Sequence, residues 1–304
     1  DLNGNPVLTA NKSSVLNARI LWTFSAATML DGNQKYAEIA DRAYKVVTGE
    51  FEDQEFGGYY MELTSGNKVA DDIKHSYAQA FVIYSLCKYY EFRKLDLVMR
   101  KIQEFFGLFE TKAKSPENAG YREAFTRDWK IYGENRLADH NEPRSMNTHL
   151  HILESWAALY KVWKSPEVEQ RLTELLNLFL DKIIRDDGHF GIFFDEEFNE
   201  TGISREICSF GHEIEGSWLL WEAAEILGDQ EILRRIRPVV IKMVDHIDRV
   251  AVDKDGGLFL ESTRFGSHLK TNKHWWQQAE TLVGFMNAFE LTGDVKYWDT
   301  VKLT

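Results

Sequence analysis

What most constrains this chain is the spacing of its apolar residues. They recur every three to four positions through ten stretches, at 13–30, 34–49, 74–92, 95–110, 145–163, 166–184, 210–228, 230–250, 274–292 and from about 295 onward. That is the period of an amphipathic α-helix. The stretches come in pairs. LDGNQ (30–34), WKSPE (163–167) and LGDQE (227–231) read as tight helix–helix turns, each with a Gly, Asn, Ser or Pro. Between pairs the links lengthen. EFGGYYMEL (55–63), DDGHFGIFFDEEF (186–198) and DKDGGLFLES (253–262) put acidic residues and glycine around an aromatic or apolar run, the pattern of a turn with a short hairpin. Segment 111–144 is the least periodic and is expected to be a long excursion over one face, a kind of loop that is often functional.

A helix-pair unit of about 60 residues, repeated along the chain, predicts one all-α domain over 1–304. Paired helices can close into a ring whose inner helices turn small and polar residues toward a central cavity. Ten helices make five pairs and a ring of six pairs needs twelve, so the domain is expected to lack a helix at each end.

Charge narrows the function classes. The chain has 48 acidic and 36 basic residues, a formal net charge of −12 and no basic patch, which argues against nucleic acid or an anionic membrane as partner. No apolar run approaches the roughly 18–20 residues of a membrane span. Cys87 and Cys208 lie in or beside apolar helical patterns and read as buried reduced thiols of a cytosolic protein. The chain starts at Asp1, which leaves room for a removed leader. Its 9 Trp, 12 Tyr and 19 Phe are mostly core, but the surplus suits a cleft that stacks on sugar rings.

Three stretches concentrate polar chemistry on helix faces. In SFGHEIEGSW (209–218), His212, Glu215 and Trp218 recur at threes near a helix start. In MNTHLHILESW (146–156), Asn147, His151 and Glu154 share a face, while His149 points away and reads as structural. In HWWQQAE (274–280), Trp276 and Glu280 share a face and Trp275 does not. A lone HxxE is usually a capped helix with a satisfied histidine; two on separate helices favour a cleft. A di-iron bundle would need the reverse order, Glu-x-x-His, and no closed zinc set is evident, so no metal is expected. Arg19, in the apolar NARILWTF, must snorkel, pair or face a polar cavity, and its forked donors suit an enolate oxygen. His75, Tyr77 and Gln79 leave function and capping unseparated. Asp186, Asp187, Glu196 and Glu197 read as solvated loop residues. Dinucleotide, Walker, nucleophile-elbow and CxxC motifs are absent.

Together, NARILWTFSAA, KHSYAQAFVIYSL, NTHLHILESW, SFGHEIEGSWLL and KHWWQQAETLVGF resemble the N-acylglucosamine 2-epimerase superfamily, and within it the cellobiose 2-epimerase branch. The resemblance runs along nearly the whole chain. It implies an (α/α)6 barrel and reversible epimerisation at C2 of the reducing-end sugar in β-1,4-linked disaccharides, without a cofactor. It gives His212, His151, Arg19 and Glu215 catalytic roles. Asn147, Trp218, Trp276 and Glu280 become substrate-binding residues. It also implies a further catalytic histidine on a later helix, beyond Thr304. The expected partner is a disaccharide, with no nucleic acid or membrane, for a cytoplasmic monomer or weak homodimer. Epimerisation requires ring opening, loss of the C2 proton to give a cis-enediolate, and reprotonation from the other face. His212 is read as one of the two acid/base groups, with Glu215 orienting it or holding a hydroxyl. An aldose–ketose isomerase would share the enediolate. A glycoside hydrolase or lyase would need paired inward carboxylic acids, where this chain offers histidines. A noncatalytic sugar-binding protein is the third alternative.

Overall fold

In the computed structural model, which describes residues 4–135, 141–264 and 266–304, the periodic stretches are helices. They are α1 (Ser14–Asp31), α2 (Gln34–Val46), α3 (Ser76–Arg93), α4 (Asp96–Ala113), α5 (Met146–Val162), α6 (Pro166–Leu178), α7 (Phe210–Leu227), α8 (Gln230–Val250), α9 (Trp275–Thr292) and α10 (Val295–Leu303). The expected 34–49 and 166–184 are not uniform. α2 and α6 stop early, and one π-helical turn follows each, Val47–Phe51 and Phe179–Ile183. Among the described residues no helix is long and apolar enough to cross a membrane.

The tight turns follow one recipe. Gly32, Gly228 and Gly293 end α1, α7 and α9 in the left-handed conformation, and the next residue, Asn33, Asp229 or Asp294, accepts a backbone N–H of the following helix. In WKSPE, Ser165 Oγ accepts the Glu167 N–H at 3.3 Å and Pro166 opens α6, where its missing donor costs nothing.

Among the described residues there are ten short strands, one before α1 and nine between helices. They are β1 (Lys12–Ser13), β2 (Glu62–Leu63), β3 (Val69–Asp71), β4 (Lys74–His75), β5 (Ala124–Phe125), β6 (Arg144–Ser145), β7 (Phe193–Phe194), β8 (Ile207–Ser209), β9 (Glu261–Thr263) and β10 (Leu269–Lys270). Four antiparallel pairings recur at equivalent places. A strand leading straight into the first helix of a pair bonds to a strand that follows the second helix. Lys12 lies opposite Leu63, Lys74 opposite Phe125, Arg144 opposite Phe194, and Ile207 opposite Thr263. Each repeat also closes a tight hairpin by one bridge, Glu52 to Tyr59, Lys114 to Tyr121, Ile184 to Phe190 and Val252 to Leu258. The supposed irregular excursion is therefore partly a fourth copy of this device, the second in chain order, holding the 114–121 bridge and β5. Its lysine, serine and proline in place of a double glycine hid the likeness. Residues 136–140 of that segment lie outside the described residues.

The chain divides into two compact units, Asp1–Arg136 with Glu154–Val168, and Leu137–Leu153 with Glu169–Thr304. In the first, α1 packs on α2 and α3, and α3 on α4. Phe106, Phe109 and Tyr121 surround the fully buried Trp156, whose indole N–H donates to Tyr121 Oη at 2.9 Å. In the second, α7 packs on α8 and α9, and α9 on α10, around Phe210, Ile214, Ile247, Phe285 and Tyr297. Two acidic loop residues are not simply solvated. Glu196 accepts the guanidinium of the fully buried Arg144 at 2.8 Å, and Asp187 pairs with Arg264 at 2.7 Å.

A buried charge cluster pins the first hairpin. Asp53, inaccessible to solvent, accepts Lys74 Nζ at 2.9 Å, both Arg127 Nε and Nη2 at 3.0 Å, and the backbone N–H groups of Glu55 and Phe56. Burial alone would raise its pKa; Arg127, Lys74 and the two amides outweigh that and hold the carboxyl well below the usual carboxylate range. Asp53→Ala leaves Lys74 buried without its counter-charge and is expected to cost about 3–5 kcal/mol in urea unfolding. Because the folded pKa is depressed, Asp53 stabilises the wild type above the ordinary carboxylate range and loses that effect on acidification. The gap between wild type and variant should therefore narrow as unfolding is repeated at falling pH.

Candidate active site

The first helix of each of the first four pairs begins where a short strand ends, α9 follows β10 after four further residues, and six of the expected site residues sit in the first two turns of α5, α7 and α9. Asn147 and His151 are on α5, His212 and Glu215 on α7, Trp276 and Glu280 on α9. All six, with Trp218, belong to the second unit.

Ser209 sits at the N-cap of α7, yet its hydroxyl does not cap the helix; it bonds the His212 ring at Nδ1, 2.7 Å away. The indole of Trp276 lies tilted beside that ring, 5.1 Å between centroids. Burial first, and the neighbouring His151 charge second, lower His212 to about 4, so it is neutral at physiological pH. His151 is buried too, with Nε2 3.7 Å from Glu215 Oε1. Glu215, expected to orient His212, thus faces His151 instead. Asn147 Oδ1 is buried and accepts no hydrogen bond. The cluster combines a neutral base, a histidine beside a carboxylate, an amide oxygen and an aromatic wall. That set can move a proton next to a carbonyl and hold hydroxyls.

Two expected residues bind each other. Trp218 Nε1 donates to Glu280 Oε2 at 2.9 Å, and Trp218 also lines a groove of about 510 Å³ with Glu222, Leu282 and Met286, one to two turns further along α7 and α9. Arg19 lies in the first unit on α1, its guanidinium 4.7 Å from the Phe81 ring centroid and Nη2 3.5 Å from Tyr77 Oη. His75 caps α3, accepting the Tyr77 N–H at 3.3 Å, and Gln79 brackets the Tyr59 backbone with both amide atoms. His75 Nδ1 thus serves as a cap, and Gln79 supports the backbone. His149 is structural as expected: it bonds Ser145 O at 2.7 Å, and burial lowers its pKa to about 3.

Sequence reasoning missed Ser209 and Gly211. A serine three residues before a histidine at a helix start is a capping signature, and it was the available signal for the first. Gly211 lies where α7 meets α9: a Cβ there would stand 2.5 Å from Gln277 Cγ and 2.6 Å from Trp276 Cη2.

The N-acylglucosamine 2-epimerase family model matches residues 1–303. The chain belongs to that family. A cellobiose 2-epimerase of Bacteroides fragilis is 38% identical, over 96% of this chain and 76% of its own. One from Ruminococcus albus is 34% identical, over 96% and 74%. Among solved structures, the cellobiose 2-epimerase of Bacillus thermoamylovorans B4167 superposes with a TM-score of 0.94 at 31% identity, covering 100% of this chain and 77% of that one. The all-α toroid class that the helix pairs predict is the class of this 2-epimerase family.

For a family site walled by Trp276, Gly211→Ala should displace the indole. Overpacking costs about 1–3 kcal/mol, offset by up to about 1 kcal/mol of better helix propensity. Urea unfolding should show a net loss of about 0–3 kcal/mol.

Proposed function

We propose that this protein reversibly epimerises C2 of the reducing-end sugar of β-1,4-linked disaccharides, converting cellobiose to glucosyl-mannose and lactose to epilactose. The observation that carries this reading is the buried group of His212, held neutral, with His151 and Glu215 beside it. The family membership supports it independently.

The chemistry follows from the acidity of a C–H next to a carbonyl. The sugar ring opens to expose the aldehyde. His212 then takes the C2 proton, and a cis-enediolate forms. With Nδ1–H donating to Ser209 Oγ, Nε2 keeps its lone pair for this step. Inversion requires a second acid/base group on the opposite face, a role the family gives to a histidine on a later helix. His151, supported by Glu215, donates to the developing oxyanion, and Arg19 has the same task by its fixed charge and family position. Trp276 stacks on a sugar ring, and Asn147 Oδ1 accepts a hydroxyl. Trp218 and Glu280, bound to each other, shape the wall one turn away. No cofactor enters. A cytoplasmic monomer or weak homodimer is part of the same reading, and the two buried free thiols suit a reducing compartment.

The test is an NMR time course with cellobiose in D2O. Glucosyl-mannose carrying deuterium at C2 is expected. A ketose product would make the enzyme an isomerase, free monosaccharides a hydrolase, and the absence of C2 exchange from a chain extended past Thr304 to include the later-helix histidine a noncatalytic sugar binder; each overturns the proposal. His212→Ala should lower kcat about 10²–10⁴-fold with the far-ultraviolet spectrum unchanged. The base works deprotonated, so the acid limb of kcat/KM should lie near pH 4, not near an ordinary histidine value; a limb at about 6.5 would exclude His212 as that base.

A further inference from the structure

Behind the start of α7 lies a cluster that the epimerase reading does not use. His189 comes from the hairpin after α6, Cys208 from β8 and Glu213 from the first turn of α7. Their imidazole, thiol and carboxylate ligand atoms all lie within 4.8 Å of one another, and all three residues are buried. His189 Nδ1 and Glu213 Oε1 are 2.9 Å apart. The other carboxylate oxygen, Glu213 Oε2, is buried and has no hydrogen-bond partner. A fourth donor, His246 of α8, sets its ring edge-on to His189 with centroids 4.2 Å apart.

We propose that His189, Cys208 and Glu213 form a binding site for one zinc-like divalent cation, with His246 or a water in the fourth position. Sulfur, nitrogen and oxygen together are the donor set of a borderline-soft, tetrahedral metal. Bond lengths of about 2.0–2.3 Å put tetrahedral ligand atoms about 3.3–3.8 Å apart. His189 Nδ1 and Glu213 Oε1 need to separate by only a few tenths of an ångström. On binding, Cys208 gives its proton to solvent and its sulfur bonds the metal, and Glu213 Oε2 gains a partner. The neighbouring charges are already matched, Arg185 with Glu200 and Arg264 with Asp187. Cys208 and Glu213 bracket Ser209 and His212, so a cation here would tie β8, the preceding hairpin and the first turn of α7 together. Its role is structural support for the proton-transfer residue, distinct from the sugar site.

Cobalt(II) added to the folded, metal-stripped protein tests this. A thiolate-to-cobalt charge-transfer band saturating at one equivalent is expected. Excess zinc(II) should erase it, Cys208→Ser should abolish it, and Cys87→Ser should retain it. Zinc should remain at one equivalent after buffer exchange and raise the melting temperature. A folded wild type that shows neither the cobalt band nor retained zinc overturns the proposal, as does a band that survives Cys208→Ser. Should Cys208→Ser fail to fold, Glu213→Gln is expected to weaken cobalt binding at least tenfold, and the wild-type titration still decides.

Discussion

The structure depends on where the first helix of each of the first four pairs begins, and two or three residues of strand decide that. β8 is held by three register pairs to β9, and its last residue, Ser209, is the N-cap of α7. Strand side chains alternate between faces, so a slip of one residue would turn every side chain of the strand over. It would also move the start of α7 by one residue, rotating His212 and Glu215 by about 100°. A pairing between positions more than 50 residues apart therefore sets the direction of a histidine. The same hand-off precedes α1, α3 and α5. Helix propensity could not supply it, because propensity does not specify a first residue.

Burial of charge is the second recurring device, with opposite uses in different places. Around Asp53 the charges are matched and saturated by backbone donors, which fixes a hairpin. Arg144 is similarly inaccessible and meets Glu196 where β6 gives way to α5. At His212, among the described residues, it is Ser209, a neutral hydroxyl, rather than a carboxylate that bonds the ring, and desolvation prevails. The carboxylate goes to His151 instead. The two histidines thus differ in surroundings: His151 has the carboxylate and His212 the neutral hydroxyl.

Helix positions were legible because apolar period and turn chemistry agreed: Gly32–Asn33, Gly228–Asp229 and Gly293–Asp294 announce both the end of one helix and the start of the next. The histidines, asparagine and tryptophan of the site were legible as polar residues on otherwise apolar faces. Partnerships were not. Glu215 lies three residues from His212, and i, i+3 spacing suggested a pair, but spacing along one helix says nothing of what the facing helix offers. The pairing of Trp218 with Glu280, 62 positions apart, has no local signature. Nor does the meeting of His189, Cys208 and Glu213, which no spacing rule for metal ligands describes. The 114–121 hairpin escaped notice because its turn uses proline and asparagine where the others use positive-φ glycine.

A base with a pKa near 4 is weak, which at first counts against His212 removing a proton from carbon. The proposed reaction, however, runs in both directions. Whatever takes the C2 proton, or its counterpart on the other face, must return one. A strongly basic histidine would be slow to give its proton back, whereas a lowered pKa makes the imidazolium a strong acid for reprotonation. The cost then falls on forming the enediolate, and that must be met by donors to its oxygens rather than by the base. This shifts the demand for positive charge from His212 to its neighbours. The proposed mechanism gives that demand to His151, whose Nε2 lies 3.7 Å from Glu215 and whose charge, after burial, is the second cause that lowers His212. On the proposed reading Glu215 thus serves the oxyanion side through His151, while burial above all keeps the base neutral.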